Sequence, residues 1–195
     1  RLDLGGTNFV TDAACASSLA ALNIALNELY LGNSDVVITG GVDALNTISM
    51  FMCFSKTPAL SASGDCRPFS EQADGTILGE GIGMIAIKRL DDAERDGDQI
   101  YGVIKGLGSS SDGKGSSVYA PVPEGQAVCM QRAYEAAGYS PDTVELLEAH
   151  GTATKAGDAA EFKGLRSVFQ GEGDHQNHCA LGSVKSNIGH TKASA

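Results

Sequence analysis

Thr11-Asp12-Ala13-Ala14-Cys15-Ala16-Ser17-Ser18-Leu19 carries one cysteine through a turn of small residues into a long helical pattern. Leu19, Leu22, Leu26, Leu29 and Tyr30 recur at steps of three and four, which predicts a helix with an apolar stripe. Before it, Asn8-Phe9-Val10-Thr11 reads as a short strand; after it, Gly32-Asn33-Ser34 closes the helix. Val36-Val37-Ile38-Thr39 is then a β-branched run, as expected of a strand covered on both faces. Strand, helix and strand make a βαβ unit, so an α/β fold is expected. Cys15 stands at the helix N-terminus, where unsatisfied first-turn amides and the positive end of the macrodipole stabilise a thiolate. Free cysteine is also among the most buried residue types, so a structural role competes with a nucleophilic one until partners are found.

The composition narrows the class. With 195 residues and 42% apolar content the chain can bury the core of one domain, and its 25 glycines call for many tight turns and close backbone contacts. No apolar run reaches the roughly 18 residues of a membrane span, and no signal-peptide pattern opens the chain, so a cytoplasmic protein is expected. A formal charge of -10 argues against a nucleic-acid surface, which needs clustered Lys and Arg. Cys15, Cys53, Cys66, Cys129 and Cys179 are odd in number and contain no C-x-x-C pair, which suggests reduced thiols rather than a disulfide framework or a zinc knuckle. The chain opens on Arg1 and stops at Lys192-Ala193-Ser194-Ala195, a run like the first turn of a helix, so a fragment of a longer chain is expected.

Further along, Met50, Phe51, Met52 and Phe54 form an apolar patch suited to core, a pocket or a subunit interface. Gly79-Glu80-Gly81 superficially has the form of a dinucleotide loop, but it leads into a strand at 82–87 instead of opening a helix, and that reading is rejected. Residues 91–96 read as a charged turn and 100–104 as an alternating strand. The Gly- and Ser-rich run 106–115 lacks the Lys-Ser/Thr pair of a phosphate loop and reads as a plain connection. A helix is predicted over 123–137, striped by Ala127, Met130, Ala133, Tyr134 and Ala137 and stopped by Gly138.

Residues 144–149 read as a strand that delivers His150 at its C-terminal end, the edge where ligands gather in open α/β sheets. Asp158 and Glu161 have the spacing of a capping box heading a helix striped by Phe162, Leu165 and Phe169. A last strand at 180–184 delivers Lys185 and, through Ser186-Asn187-Ile188-Gly189, His190. His175 and His178 have H-x-x-H spacing beside Cys179, but no helix aligns them, so a solvated loop is expected and no metal is assigned.

A strand-to-helix cysteine with two histidines, each following a strand and next to a glycine, suggests acyl transfer or thiol proteolysis. Three stretches decide between them: Asp12-Ala13-Ala14-Cys15-Ala16-Ser17-Ser18, Glu148-Ala149-His150-Gly151-Thr152-Ala153-Thr154-Lys155-Ala156-Gly157-Asp158, and Gly182-Ser183-Val184-Lys185-Ser186-Asn187-Ile188-Gly189-His190. Their order and separations resemble the three active-site motifs of the β-ketoacyl synthase family. Phe54-Ser55-Lys56-Thr57-Pro58 and the stretch 119–127 are most similar to ketosynthase domains of polyunsaturated-fatty-acid and iterative polyketide synthases. Ala153 stands where the family often has glycine or serine, and Ser70-Glu71-Gln72-Ala73-Asp74-Gly75 departs from the family's usual Asp-x-x-Arg-Asp-Gly.

The resemblance implies a thiolase-like layered α/β/α/β/α fold, of which residues 1–195 would be an incomplete part of one ketosynthase domain: the end of the first half from the nucleophile onward and much of the second. It implies decarboxylative Claisen condensation of a Cys15-bound acyl chain with a malonyl unit on a carrier protein. His150 and His190 would hold the malonyl thioester carbonyl as neutral imidazoles. Lys185, paired with Glu161, would keep them neutral by like-charge repulsion. Thr152 and Thr154 would bind the pantetheine arm, and Asp158 would be structural. The implied partners are the acyl carrier protein, which brings the phosphopantetheine so that no cofactor is resident, and a second copy of the chain. Two alternatives stay open: a non-condensing chain-length partner, which would typically lack the nucleophile, and a cysteine acyl hydrolase, which would have no use for His190 or Lys185.

Overall fold

The computed structural model describes residues 3–115, 117, 120–169 and 179–195. In chain order the elements are α1 (Ser17–Tyr30), β1 (Val36–Asp43), α2 (Ile48–Lys56), β2 (Gly81–Lys88), α3 (Leu90–Asp96), α4 (Pro123–Ala137), β3 (Leu146–Glu148), α5 (Lys155–Phe169), β4 (Ala180–Gly182) and α6 (Lys185–Ile188), with 3₁₀ turns at Ala14–Ala16, Pro141–Thr143 and Lys192–Ser194. Two compact units divide them: Arg1–Asn46 with Gly79–Val103 and Thr191–Ala195, and Thr47–Leu78 with Ile104–His190. Among the described residues no helix is long and apolar enough to cross a membrane.

In the first unit β1 and β2 pair antiparallel, from Val36 opposite Lys88 to Asp43 opposite Gly81. Side chains of one face meet α1: Val37 and Ile87 pack on Leu22, Ala25, Leu26 and Leu29. The other face, with Val36, Ile38, Val42, Ile82 and Met84, is exposed among the described residues, so the expected cover is present on one side only. The stripe of α1 is correspondingly narrower than predicted, since Leu19 and Tyr30 are exposed. Arg89 ties the end of β2 to the end of α1, donating through Nη1 to the carbonyls of Leu29 at 3.1 Å and Ser34 at 2.9 Å. Leu29 lies in the last turn of α1, where carbonyls lack intrahelical partners, and Ser34 in the loop that follows.

Two predicted strands are absent. Residues 8–11 and 100–104 form no strand, because an extended run becomes a strand only where another chain segment completes its ladder, and none does so here; Val10 is 97% exposed. The predicted βαβ unit therefore reduces to α1 and β1. The charged run 91–96 is helical as α3: Asp91 and Asp92 sit at its positive end, Arg95 at its negative end, and Gly97 closes it with φ 71°.

In the second unit α4 and α5 pack together, and β3 and β4 pair in parallel from Leu146 opposite Ala180 to Glu148 opposite Gly182. Both strands are shorter than predicted. The apolar patch around Met50 is a helix, α2, capped by Thr47 Oγ1 accepting from the Met50 amide at 3.4 Å, and its Phe51 and Met52 are exposed, not core. The stripe of α4 is as expected, while α5 buries Leu165 and leaves Phe162 exposed. The 106–115 run is a connection laid against α4: a Cβ on Gly108 would stand 2.0 Å from the Cys129 carbonyl oxygen, so glycine here permits backbone contact. His175 and His178 lie outside the described residues.

Candidate active site

Cys15 occupies the 3₁₀ turn immediately before α1 and is half-buried. Ala14 has φ 50°, a left-handed conformation that costs a residue with a Cβ and must be held by its surroundings. Asp12 and Ser17 supply that restraint. Asp12 Oδ1 accepts from the Ala14 amide at 2.8 Å, while Ser17 Oγ accepts from the Ala13 amide at 2.9 Å and donates to the Ala14 carbonyl at 2.7 Å. The thiol thus leaves a stiff turn at the N-terminus of a 14-residue helix whose first turn contains no acidic side chain to compete with a thiolate.

His150 follows β3 in a loop fixed from below by two carboxylates of α5. Glu161 accepts from the backbone amides of His150 at 2.7 Å and Gly151 at 2.8 Å. Asp158, buried, accepts from Ala153 at 3.0 Å and Phe69 at 2.6 Å. Both of those residues are left-handed, with φ 61° and 60°, so one carboxylate holds two strained backbone positions. Gly151 has φ 45° and would clash with Ser183 if it carried a Cβ, 2.5 Å away. The predicted capping box is therefore a misreading. The helix begins at Lys155, three residues before Asp158, and the Thr154 hydroxyl accepts from the Gly157 amide at 3.2 Å in the cap's place. Freed from capping, Asp158 and Glu161 reach back to the His150 loop. Burial pushes the Asp158 carboxyl up, against the pull of its two amides.

The His150 and His190 rings meet edge to face with centroids 5.3 Å apart. His190 is 2% exposed and its amide donates to Ile77 O at 2.6 Å. Lys185, the first residue of α6, is 7% exposed. Desolvation, with the Lys185 charge second, pushes His150 down to about 4 against a smaller opposing pull from Asp158. His150 is exposed, and water beside it tempers the desolvation. A neutral imidazole at neutral pH, beside a second imidazole, can donate a hydrogen bond to an oxyanion without having to give up a full charge. The expected Lys185–Glu161 pair is not among the ion pairs of the described residues; Glu161 spends its oxygens on amides instead. Thr152 and Thr154 are half-buried with hydroxyls 2.9 Å apart.

Comparison with known proteins decides the family. Residues 1–93 match the family model of the beta-ketoacyl synthase N-terminal domain, and residues 101–195 that of its C-terminal domain. The chain belongs to the β-ketoacyl synthase family. It is 47% identical over 196 residues to a polyunsaturated fatty acid synthase of Thraustochytrium sp., covering 99% of this chain and 7% of that protein. It is 42% identical over 200 residues to polyketide synthase PksN of Bacillus subtilis, covering 100% of this chain and 4% of that one. Among solved structures, a mutant form of the ketosynthase from module 6 of the bacillaene synthase from Bacillus subtilis 168 superposes with TM-score 0.95 at 41% identity, covering 100% of this chain and 34% of that one. The fold is therefore the ketosynthase, thiolase-like α/β fold. The chain spans about a third of the solved ketosynthase and a small part of the curated synthases.

Cys15 lies just before a helix start and His150 just past a strand end, as expected, whereas Lys185, expected at the end of a strand over 180–184, is the first residue of α6. The sequence reading missed two other residues. Lys192, 7% exposed and with φ 53°, reaches Asn46 Oδ1 at 2.7 Å, Gly79 O at 2.8 Å and Asp43 Oδ1 at 3.1 Å. Burial works to raise Asp43, but Lys192 and the amides of Ala193 and Leu45 outweigh it and hold the carboxyl below its ordinary value. Glu148 accepts from the Val184 amide at 2.8 Å. Nothing in periodicity marks either residue, because each pairs across a large sequence separation.

Proposed function

We propose that the protein catalyses decarboxylative Claisen condensation in fatty-acid or polyketide chain elongation. The Cys15 thiolate takes an acyl chain from a carrier-protein thioester, the carrier thiol leaving. His150 and His190 then donate hydrogen bonds from Nε2 to the thioester carbonyl of a malonyl unit. Carbon dioxide leaves, the electron pair of the broken C–C bond becomes an enolate, and that carbon attacks the Cys15 thioester; the new C–C bond forms as the C–S bond breaks. The Lys185 charge adds to the desolvation that lowers the proton affinity of His150. The observation that carries this reading is the edge-to-face approach of the His150 and His190 rings, centroids 5.3 Å apart, which places two imidazole donors where they can share one oxyanion.

On this reading Thr152 and Thr154 hydrogen-bond the pantetheine arm, which belongs to the carrier protein, so no cofactor is resident. The working protein is a homodimer in the cytoplasm, residues 1–195 contributing part of one ketosynthase domain. The test is turnover of acyl- and malonyl-carrier protein by the full-length protein: a β-ketoacyl product with one carbon dioxide released per condensation is expected, and free acid released from the acyl-enzyme in its place would overturn the reading in favour of a hydrolase.

A further inference from the structure

Three hydrogen bonds lace the ends of β3 and β4 together where His150 and Lys185 leave the sheet. The Ala149 amide donates to Gly182 O at 2.8 Å, Ser183 Oγ donates to His150 O at 3.4 Å, and the Val184 amide donates to Glu148 Oε1 at 2.8 Å. The third differs in what it holds. Val184 is the N-cap of α6 and Lys185 its first residue; the Ile188 and Gly189 amides bond to the Val184 and Lys185 carbonyls. A four-residue helix contributes little order of its own, since nucleation fixes several dihedrals for one hydrogen bond. Its orientation must come from outside contacts, and Glu148 supplies one at its first free amide.

We propose that Glu148 is a positioning residue: by accepting the Val184 amide, its carboxylate sets the start of α6 against the end of β3 and so fixes Lys185 behind His150. The inference rests on the reading of His150 as a neutral donor. Within its own unit, the charged and titratable groups near His150 include Lys185 from α6, Asp158 from α5 and His190, with Glu161 of α5 on its backbone amide. Lys185 lowers its proton affinity and Asp158 raises it; Glu148 is not among the charges that set it. Glu148 therefore acts on His150 through the placement of Lys185, and a neutral side chain with the same acceptor oxygen serves equally well.

The test compares Glu148→Gln and Glu148→Ala in the full-length protein, titrating His150 by NMR with histidine labelled in the ring and following malonyl-carrier-protein decarboxylation against pH. Gln keeps an oxygen for Val184 and should match the wild type in both. Ala releases α6, and the His150 midpoint and the acid limb of decarboxylation should both rise by about one pH unit as Lys185 moves away. An unshifted midpoint in the Ala protein, or a shifted one in the Gln protein, would overturn the proposal; the Gln result stands alone where the Ala protein does not fold. Absence of decarboxylation in the wild type counts against the reading of the function, whereas the NMR midpoints judge Glu148 independently of it.

Discussion

Glu161 grips His150 by its main chain: the carboxylate accepts the His150 amide at 2.7 Å and the neighbouring Gly151 amide at 2.8 Å, leaving the ring to be placed by the loop. Replacing Glu161 by Ala leaves the buried Gly151 amide without its acceptor and should cost about 1 kcal/mol of stability. Decarboxylation should fall more than substrate affinity, because the loop that aims the imidazole is loosened. Urea denaturation together with kcat and KM for decarboxylation checks both; an unchanged kcat would separate Glu161 from the site.

Asp158 should behave as a clamp whose own ionisation is unfavourable. Its carboxyl is raised by burial, so the folded state holds its proton to higher pH than the unfolded state, whose value is near 3.8. That linkage stabilises the fold most below 3.8 and is lost as pH rises through the higher folded value. Asp158→Ala should remove this pH dependence and, by orphaning the Phe69 and Ala153 amides at left-handed positions, lower stability at neutral pH by about 2 kcal/mol. Denaturation curves at a series of pH values provide the measurement.

For His150 the sign is opposite. Its folded value of about 4 lies below the ordinary 6.5, so its contribution to stability is present above 6.5 and is lost as pH falls through 4. In catalysis the acid limb of decarboxylation should lie below pH 6.5, and Lys185→Met should move it upward by removing the like charge. A limb unmoved by that substitution would leave Lys185 without its assigned effect.

What the sequence made legible were elements with local signals. The stripe of α4 and the strand that leads to His150 follow from spacing alone, and the three motifs named the family, whereas the helix α6 that begins at Lys185 was read as the end of a strand. The Cys15 turn was placed correctly to within one helical turn. What stayed hidden depends on non-local partners: residues 8–11 and 100–104 look like strands but have no ladder, and Asp158 and Glu161 look like a cap until α5 is seen to start at Lys155. Lys192 and Asp43, 149 positions apart, could not be paired from either neighbourhood.

That pair makes its own prediction. Lys192→Met leaves Asp43 largely buried beside an apolar side chain and should destabilise by about 3 to 5 kcal/mol. Combining it with Asp43→Asn should restore much of the loss, since no unpaired charge then remains. A double variant no more stable than the single one would show that the ammonium's bonds to Asn46 and Gly79, not the ion pair, are what matter.

The central claim is a division of labour, with Cys15 carrying the acyl chain and the two imidazoles generating the enolate. Replacing Cys15 by Gln in the full-length protein and measuring acyl loading and malonyl decarboxylation side by side tests it most directly. Loading should vanish while carbon dioxide release from malonyl-carrier protein continues; loss of both activities in a folded protein, or loading that persists without the thiol, would contradict it.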